Sequence, residues 1–218
     1  MNIVALVGFI GCGKDTVGKF LCNHYNYHCM AFADALKDTC AAIFCWDRDL
    51  LEGKTPESRE WRDRVDKWWA EKLGIPHFTP RWALQNIGTH SLRKHFHQDL
   101  WVFNVERRIT IIREENPDQN VVITDGRFWN ELEMTRRLGG TVIRVKRGDD
   151  PEWFEIARAA NEGDELARKK MLDAVKVHES EWAWIGFPVD ATVENSGSIA
   201  ELYKEVQRLL ELEEIGAP

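Results

Sequence analysis

The residues best equipped for chemistry stand together near the start of the chain, in Gly8-Phe9-Ile10-Gly11-Cys12-Gly13-Lys14-Asp15-Thr16. The spacing G-x-x-x-x-G-K is that of a P-loop, in which backbone N–H groups surround a phosphate and the lysine reaches the β- and γ-phosphates. Glycine suits such a turn because the chain must pass through conformations closed to residues with a Cβ and must approach its ligand closely. A following helix adds its positive dipole end. Gly11, Cys12, Gly13, Lys14, Asp15 and Thr16 are therefore the expected nucleotide-binding residues. The position after the lysine usually carries a Ser or Thr whose hydroxyl binds Mg²⁺; here Asp15 occupies it and Thr16 comes next. Asp15 either ligates Mg²⁺ as a hard oxygen donor or favours the positive first turn of the helix, and both readings stand. Thr16 is the other candidate metal or phosphate contact.

A second group is Asp125-Gly126-Arg127, which follows the apolar run Val121-Val122-Ile123. A strand-end acid can hold Mg²⁺ water or take a proton from an attacking group, and its plainer role is that of a turn-forming Asp before Gly. Arg127 offers a planar fork for phosphate, and Glu131, four residues on, allows an ordinary helical ion pair; the two roles are compatible. Phosphoryl transfer needs several cations around the transferred group. Arg158, Arg168, Lys169, Lys170 and Lys176 are candidates, although charge-rich helices are most often solvated faces. His95-x-His97 and His178-Glu179-Ser180-Glu181 lack the further ligands a metal or catalytic set requires, so both read as structural.

Elements must hold these groups. Ile3–Val7 is a short buried strand running into the glycine turn, and Val17, Phe20 and Leu21 mark the helix after it. Tyr27–Phe32 reads as a second strand, and a helix with Asp34 as N-cap runs to about Phe44. Residues 47–58 read as a loop. From Glu57, the apolar residues Trp61, Val65, Trp68, Trp69 and Leu73 fall at helical spacing, predicting one tryptophan-rich helix ending at Gly74. Helical patterns follow from Pro80, interrupted at Gly88, and over 100–113. Residues 120–125 form a strand with its acid at the carboxyl end, where ligands gather in open α/β sheets. A helix through Leu132 and Leu138 precedes a strand at 141–145, and Val189–Val193 precedes a final helix from Ile199 to about Leu212. Strands alternating with helices predict a three-layer α/β fold around a mainly parallel sheet covered on both faces, and the chain holds five strand candidates.

The chain has 218 residues and a net charge of −7. That length fits one domain with insertions, and the charge argues against an extended nucleic acid as partner. Five cysteines, all within the first 45 residues and without a C-x-x-C pair, read as reduced intracellular thiols. No apolar stretch reaches the length of a membrane span, so a cytoplasmic protein is expected.

Taken together, the motifs resemble the deoxynucleoside monophosphate kinases of tailed bacteriophages, within the P-loop nucleoside monophosphate kinase superfamily. The resemblance rests on Gly13-Lys14-Asp15-Thr16, Ala33-Asp34-Ala35-Leu36-Lys37 and Leu84-Gln85-Asn86-Ile87-Gly88-Thr89 with Arg93 and Trp101. It continues through Asp125-Gly126-Arg127 with Asn130-Glu131, His178-Glu179-Ser180-Glu181 and Asn195-Ser196-Gly197-Ser198. These pieces keep the family's order and cover most of the chain. The resemblance implies transfer of the ATP γ-phosphoryl group to a deoxynucleoside monophosphate, with Mg²⁺, in the host cytoplasm if the chain is phage-encoded. On that mapping Lys14, Asp125 and Arg127 are catalytic. Asp34, Lys37, Gln85, Arg93 and Arg127 bind the acceptor, and Asn195 lies beside the adenine. The family also implies a helical nucleotide-monophosphate-binding region at about 32–115 and a lid at about 147–184. The lid departs most from the family pattern over 151–175. Phosphomevalonate kinases share the Gly-Lys-Asp variant. A dephospho-coenzyme A or phosphomevalonate type of kinase, or a non-catalytic nucleotide-binding protein using its tryptophan-rich face, are the competing readings. A homodimer is compatible with that face.

Overall fold

The computed structural model describes residues 1–175 and 177–216. Five parallel strands form one sheet: β1 (Ile3–Val7), β2 (Tyr27–Met30), β3 (Asn120–Ile123), β4 (Thr141–Lys146) and β5 (Ala191–Glu194), in the order β2-β3-β1-β4-β5. All five residues of β1 are buried. A central parallel strand is covered on both faces, which is why it is a continuous apolar run rather than an alternating one. Each such aliphatic side chain contributes about 1.5–3 kcal/mol by leaving water.

The chain divides into two compact units, Met1–Ala31 with Arg108–Pro218, and Phe32–Arg107. In the first, Val4, Leu6, Val122, Ile143, Val145 and Val193 pack on one face against α1 (Lys14–His24) and the last helix, Ile199–Gly216, through Val17, Leu21, Leu202 and Val206. The other face meets the helix Trp129–Arg137, where a Cβ on Gly126 would fall 2.9 Å from Leu132 and 3.1 Å from Val7. Helices on both sheet faces complete the three layers. Residues 147–184 carry helices at Phe154–Asn161 and Glu165–Lys170, a π-type turn at Met171–Val175 and a short 3₁₀ turn at Glu179–Glu181. Lys176, one of the candidate cations, lies outside the described residues.

The second unit is helical. The helix α2 spans Asp34–Phe44, but Asp34 is its first residue and Ala33, with no side-chain bond, precedes it, so the expected Asp34 cap is not formed. The expected loop over 47–58 instead contains α3 (Arg48–Glu52), capped by Asp47, and the start of α4 (Pro56–Asp63), where Thr55 and Ser58 form a reciprocal capping box. Arg59 and Arg62 donate to the carbonyls of Gly53 and Leu51, satisfying the end of α3. The single tryptophan-rich helix is also broken. Arg64 leaves helical geometry at ψ 137°, and Asp66 caps a new helix, α5 (Lys67–Leu73), that ends as expected at Gly74. Phe44, Trp46, Trp61, Trp69, Phe78 and Trp82 pack around this break at tilted to edge-to-face angles. Asp66 accepts the Trp46 indole N–H at 2.8 Å as well as the Trp69 backbone N–H. Trp46 is buried here, Trp61, Trp69 and Trp82 are half-buried, and Trp68 is exposed.

After α6 (Pro80–Gln85) the chain continues without a stop into wider π-type turns over Asn86–Phe96, and then into α7 (Leu100–Glu115), within which the boundary between the units falls. Gly88 marks a close approach, since a Cβ there would lie 2.5 Å from Leu36, and its carbonyl accepts the Trp101 indole at 3.1 Å. Among the described residues no helix is long and apolar enough to cross a membrane.

Candidate phosphoryl-transfer site

Where β1 ends, the chain turns in a way only glycine permits. Gly8 has φ +141° and a Cβ on it would fall 2.3 Å from the Val145 carbonyl oxygen; Gly13 has φ +107° and a Cβ there would fall 2.4 Å from Asn195 Nδ2. Gly13 precedes α1, and no side chain caps that helix. The N-terminal N–H groups of an uncapped helix suit an anion. Asn195, at the end of β5, fastens the loop, donating from Nδ2 to the Cys12 carbonyl at 2.9 Å and from its backbone to Lys146 at 2.7 Å. Its amide thus holds the loop from the sheet side. Lys14 curls over the turn and donates to the carbonyls of Gly8 at 2.7 Å and Phe9 at 2.9 Å, passing 3.6 Å from Cys12 Sγ. The ammonium is pre-placed inside the loop on neutral acceptors.

Asp15 is exposed and Thr16 half-buried in the first turn of α1. Among the described residues no group of three or more His, Cys, Asp or Glu could hold a metal ion by itself. The Asp15 carboxylate and the Thr16 hydroxyl are hard oxygens of the kind that suits a Mg²⁺ also bound to phosphates. A cavity of ≈ 200 Å³ opens beside the loop, between Phe9–Cys12 and the chain leaving β4 at Val145–Arg147, Asp149 and Asp150.

β3 pairs directly with β1, so Asp125-Gly126-Arg127 leaves the sheet next to the glycine loop. The Gly126 N–H donates to the Leu6 carbonyl at 3.2 Å. Glu131, almost fully buried, accepts the backbone N–H groups of Arg127 at 2.8 Å and Phe128 at 3.1 Å. Glu131 thus holds the turn through the backbone, and its charge also bears on the Arg127 guanidinium. The guanidinium pairs with Glu181 and also donates to the Ser180 carbonyl at 3.3 Å and hydroxyl at 3.4 Å. Burial alone would lower the Arg127 pKa. The charge and hydrogen bond of Glu181, with Asp125 and Glu131 nearby, outweigh it and leave the group above its ordinary value. Arg127 is a permanent cation, and with 37% of its side chain exposed it remains open to a ligand.

The other expected cations are paired differently. Arg168 meets Glu179 at 2.9 Å, and Arg158 meets Glu155 at 3.1 Å. His178 uses Nδ1 to accept the Ser180 N–H at 3.3 Å and to contact its hydroxyl at 2.9 Å, ordering the 3₁₀ turn. His97 Nδ1 accepts the Asp99 N–H at 3.0 Å. Both rings thus bond within their own turns. Glu181 and the turn-holding role of Glu131 were not foreseen. The nearest signal was their presence in the family motifs.

In the second unit, Lys37 pairs with Glu52 at 3.0 Å, and Arg48 bridges Asp34 at 3.5 Å, Asp38 and Glu52. Burial would raise the Glu52 pKa, but Arg48 and Lys37 pull it down to about 2. Gln85 closes α6, and Arg93 donates to the Gln98 carbonyl at 3.3 Å from the π-type stretch. Asp34 and Lys37 share one charge network; Gln85 and Arg93 lie on the adjoining helical stretch.

No family model matches the chain. Solved structures with similar chain courses include a dephospho-CoA kinase from Campylobacter jejuni, with 16% identity, TM-score 0.44, and coverage of 97% of this chain and 96% of that one. Another is a shikimate kinase from Aquifex aeolicus, with 17% identity, TM-score 0.41 and 99% of each chain covered. A protein of Acanthamoeba polyphaga mimivirus, described as "Putative deoxynucleotide monophosphate kinase", is 30% identical over 189 residues, spanning 82% of this chain and 89% of that protein. The chain is a P-loop kinase, and it belongs to the deoxynucleotide monophosphate kinase family.

Proposed function

We propose that this protein transfers the γ-phosphoryl group of MgATP to the phosphate of a deoxynucleoside monophosphate, giving ADP and a deoxynucleoside diphosphate. The observation that carries the reading is the pairing of two phosphate-directed devices on neighbouring strands: the glycine loop with Lys14 inside it, and the Arg127 turn fixed by Glu131. An NTP sensor needs only the first. In the reaction an acceptor phosphate oxygen bonds to the γ-phosphorus as the bond to the β,γ-bridging oxygen breaks. The protein's part is to align the groups and stabilise charge. Lys14 and the loop N–H groups hold the β- and γ-phosphates. Asp15 and Thr16 would be the residues to hold a Mg²⁺ bound with ATP, which would offset phosphate charge. Arg127 neutralises charge on the transferred group, and Asp125 orients the acceptor. Asn195 maintains the loop beside the adenine end. Asp34, Lys37, Gln85 and Arg93 recognise the acceptor, the first two through the Arg48–Glu52 network.

A coupled ADP-release assay with MgATP and each deoxynucleoside monophosphate in turn tests this, with ribonucleotides, dephospho-coenzyme A and phosphomevalonate as controls. Turnover that requires a deoxynucleoside monophosphate is expected. Preference for dephospho-coenzyme A or phosphomevalonate, or acceptor-independent ADP release in a folded preparation, would overturn the assignment.

A further inference from the structure

The second residue of the glycine loop, Phe9, is not explained by phosphate binding. Its ring leaves the loop and enters an aromatic socket, 5.2 Å from Trp184 and 5.5 Å from Trp153 between centroids, with Phe154 at 6.2 Å, all near edge to face. Such pairs are directional as well as apolar. The socket is stiff: Arg144 lies 4.9 Å from the Phe154 ring and 5.2 Å from the Trp184 ring, and its guanidinium is held by Asp150. Trp184 is 3% exposed and donates its indole N–H to the Glu181 carbonyl at 3.1 Å. Glu181 in turn holds the Arg127 guanidinium with its carboxylate. One continuous series of contacts therefore joins the phosphate loop to Arg127 without passing through the sheet.

The Phe9 carbonyl is also one of the acceptors that Lys14 occupies. A nucleotide that draws the ammonium onto its phosphates releases that carbonyl, and the ring attached to the same residue bears on Trp184. We propose that Phe9 and Trp184 are positioning residues that couple nucleotide occupancy of the loop to the placement of Arg127, with Glu181 as the link. The inference rests on the reading of Lys14 as the ATP clamp and Arg127 as the charge-stabilising cation. It makes the 178–184 segment a relay, so that Arg127 is delivered in full only when the donor is bound.

Two measurements test it. In the first, backbone hydrogen exchange over 178–184 is followed with and without a non-hydrolysable ATP analogue, which needs no acceptor and no turnover. Protection should rise several-fold in the natural protein and not in Phe9→Leu or Trp184→Phe, the latter keeping a ring but removing the indole donor. Equal protection in natural and variant proteins, or none in the natural protein, would overturn the coupling. The second is a kinetic cycle with Arg127→Lys. Phe9→Leu should lower kcat about tenfold in the natural background and less than twofold beside Arg127→Lys, with the ATP KM little changed. A merely structural role for Phe9 predicts the same loss in both backgrounds, and that result rejects the relay. If Arg127→Lys turns over like the natural protein, the catalytic role of Arg127 fails, and the exchange measurement still decides the coupling. Thermal unfolding of each variant identifies one that is simply misfolded, and Trp184→Phe then replaces Phe9→Leu in the cycle.

Discussion

Lys14 and Lys37 both lie in the first turn of a helix, one in each unit, and they are held in opposite ways. Lys14 rests on backbone carbonyls, whereas Lys37 is bound to the Glu52 carboxylate that Arg48 also claims. A phosphate oxygen displaces a neutral carbonyl easily, because the new contact is charge-assisted and the old one is not. It displaces a carboxylate only at the cost of leaving that carboxylate poorly paired. The first unit thus presents its charge, and the second keeps its charge in a closed network. The proposed donor site relies on backbone geometry. The proposed acceptor contacts in the second unit use side chains that already have partners.

The largest effect should come from breaking the presented charge. Lys14→Ala is expected to lower kcat/KM by about a thousandfold or more, since transition-state charge stabilisation is removed from a desolvated site. The melting temperature should stay within a few degrees, because Lys14 makes no buried ion pair. Lys37→Ala sharpens the contrast: kcat/KM for the acceptor should fall about tenfold, with stability reduced because Glu52 loses a partner. A Lys14→Ala enzyme that keeps its turnover would remove the distinction.

Gly13→Ala should come next. The residue has φ +107° and a Cβ would press on Asn195, so strain on the order of 1–3 kcal/mol is expected. Isothermal titration should show ATP affinity falling about tenfold or more, in proportion to that strain.

The closed network makes a smaller, pH-dependent prediction. Glu52 titrates at about 2 in the folded protein against 4.5 for the free side chain. A depressed carboxyl stabilises the fold fully above the unfolded pKa, and the contribution, on the order of 3 kcal/mol, is lost as the pH falls from about 4.5 to about 2. Denaturant unfolding across that range should lose stability, and Glu52→Gln should flatten the dependence. The smallest effect concerns thiols of the second unit. Cys40 is fully buried and its pKa is pushed up to about 11, while Cys45 is exposed. A thiol reagent at neutral pH should label Cys45 in the native protein and reach Cys40 only on unfolding.

Local signals were readable wherever the backbone itself carried the function. Ile3–Val7 announced a doubly covered strand, and the glycines that mark the loop are those whose φ and close contacts exclude a Cβ. Asp125-Gly126-Arg127 was legible as a strand-end turn for the same reason. Side-chain pairing was not, because Arg127 and Glu181 are 54 residues apart and no periodicity relates them. The break at Arg64–Asp66 was hidden by an apolar spacing that runs through it. Thr55 and Asp66 cap helices here through polar side chains that an apolar spacing does not register. Phe9 carries no local signal, because its ring partners Trp153 and Trp184 lie far along the chain.

The sheet order has a consequence for how the protein is made. The central pairing of β1 with β3 brings together segments as remote as Asn2 and Asn120, which are 118 residues apart and joined by a hydrogen bond. Closing so long a loop slows nucleation, and on a ribosome the partner of β1 emerges only after all of Phe32–Arg107. That helical stretch, rich in near-neighbour contacts, can organise while β1 still waits with an apolar run unpaired. The phosphate loop, made before that helical stretch, is therefore expected to take shape after it, and β1 to need protection during synthesis.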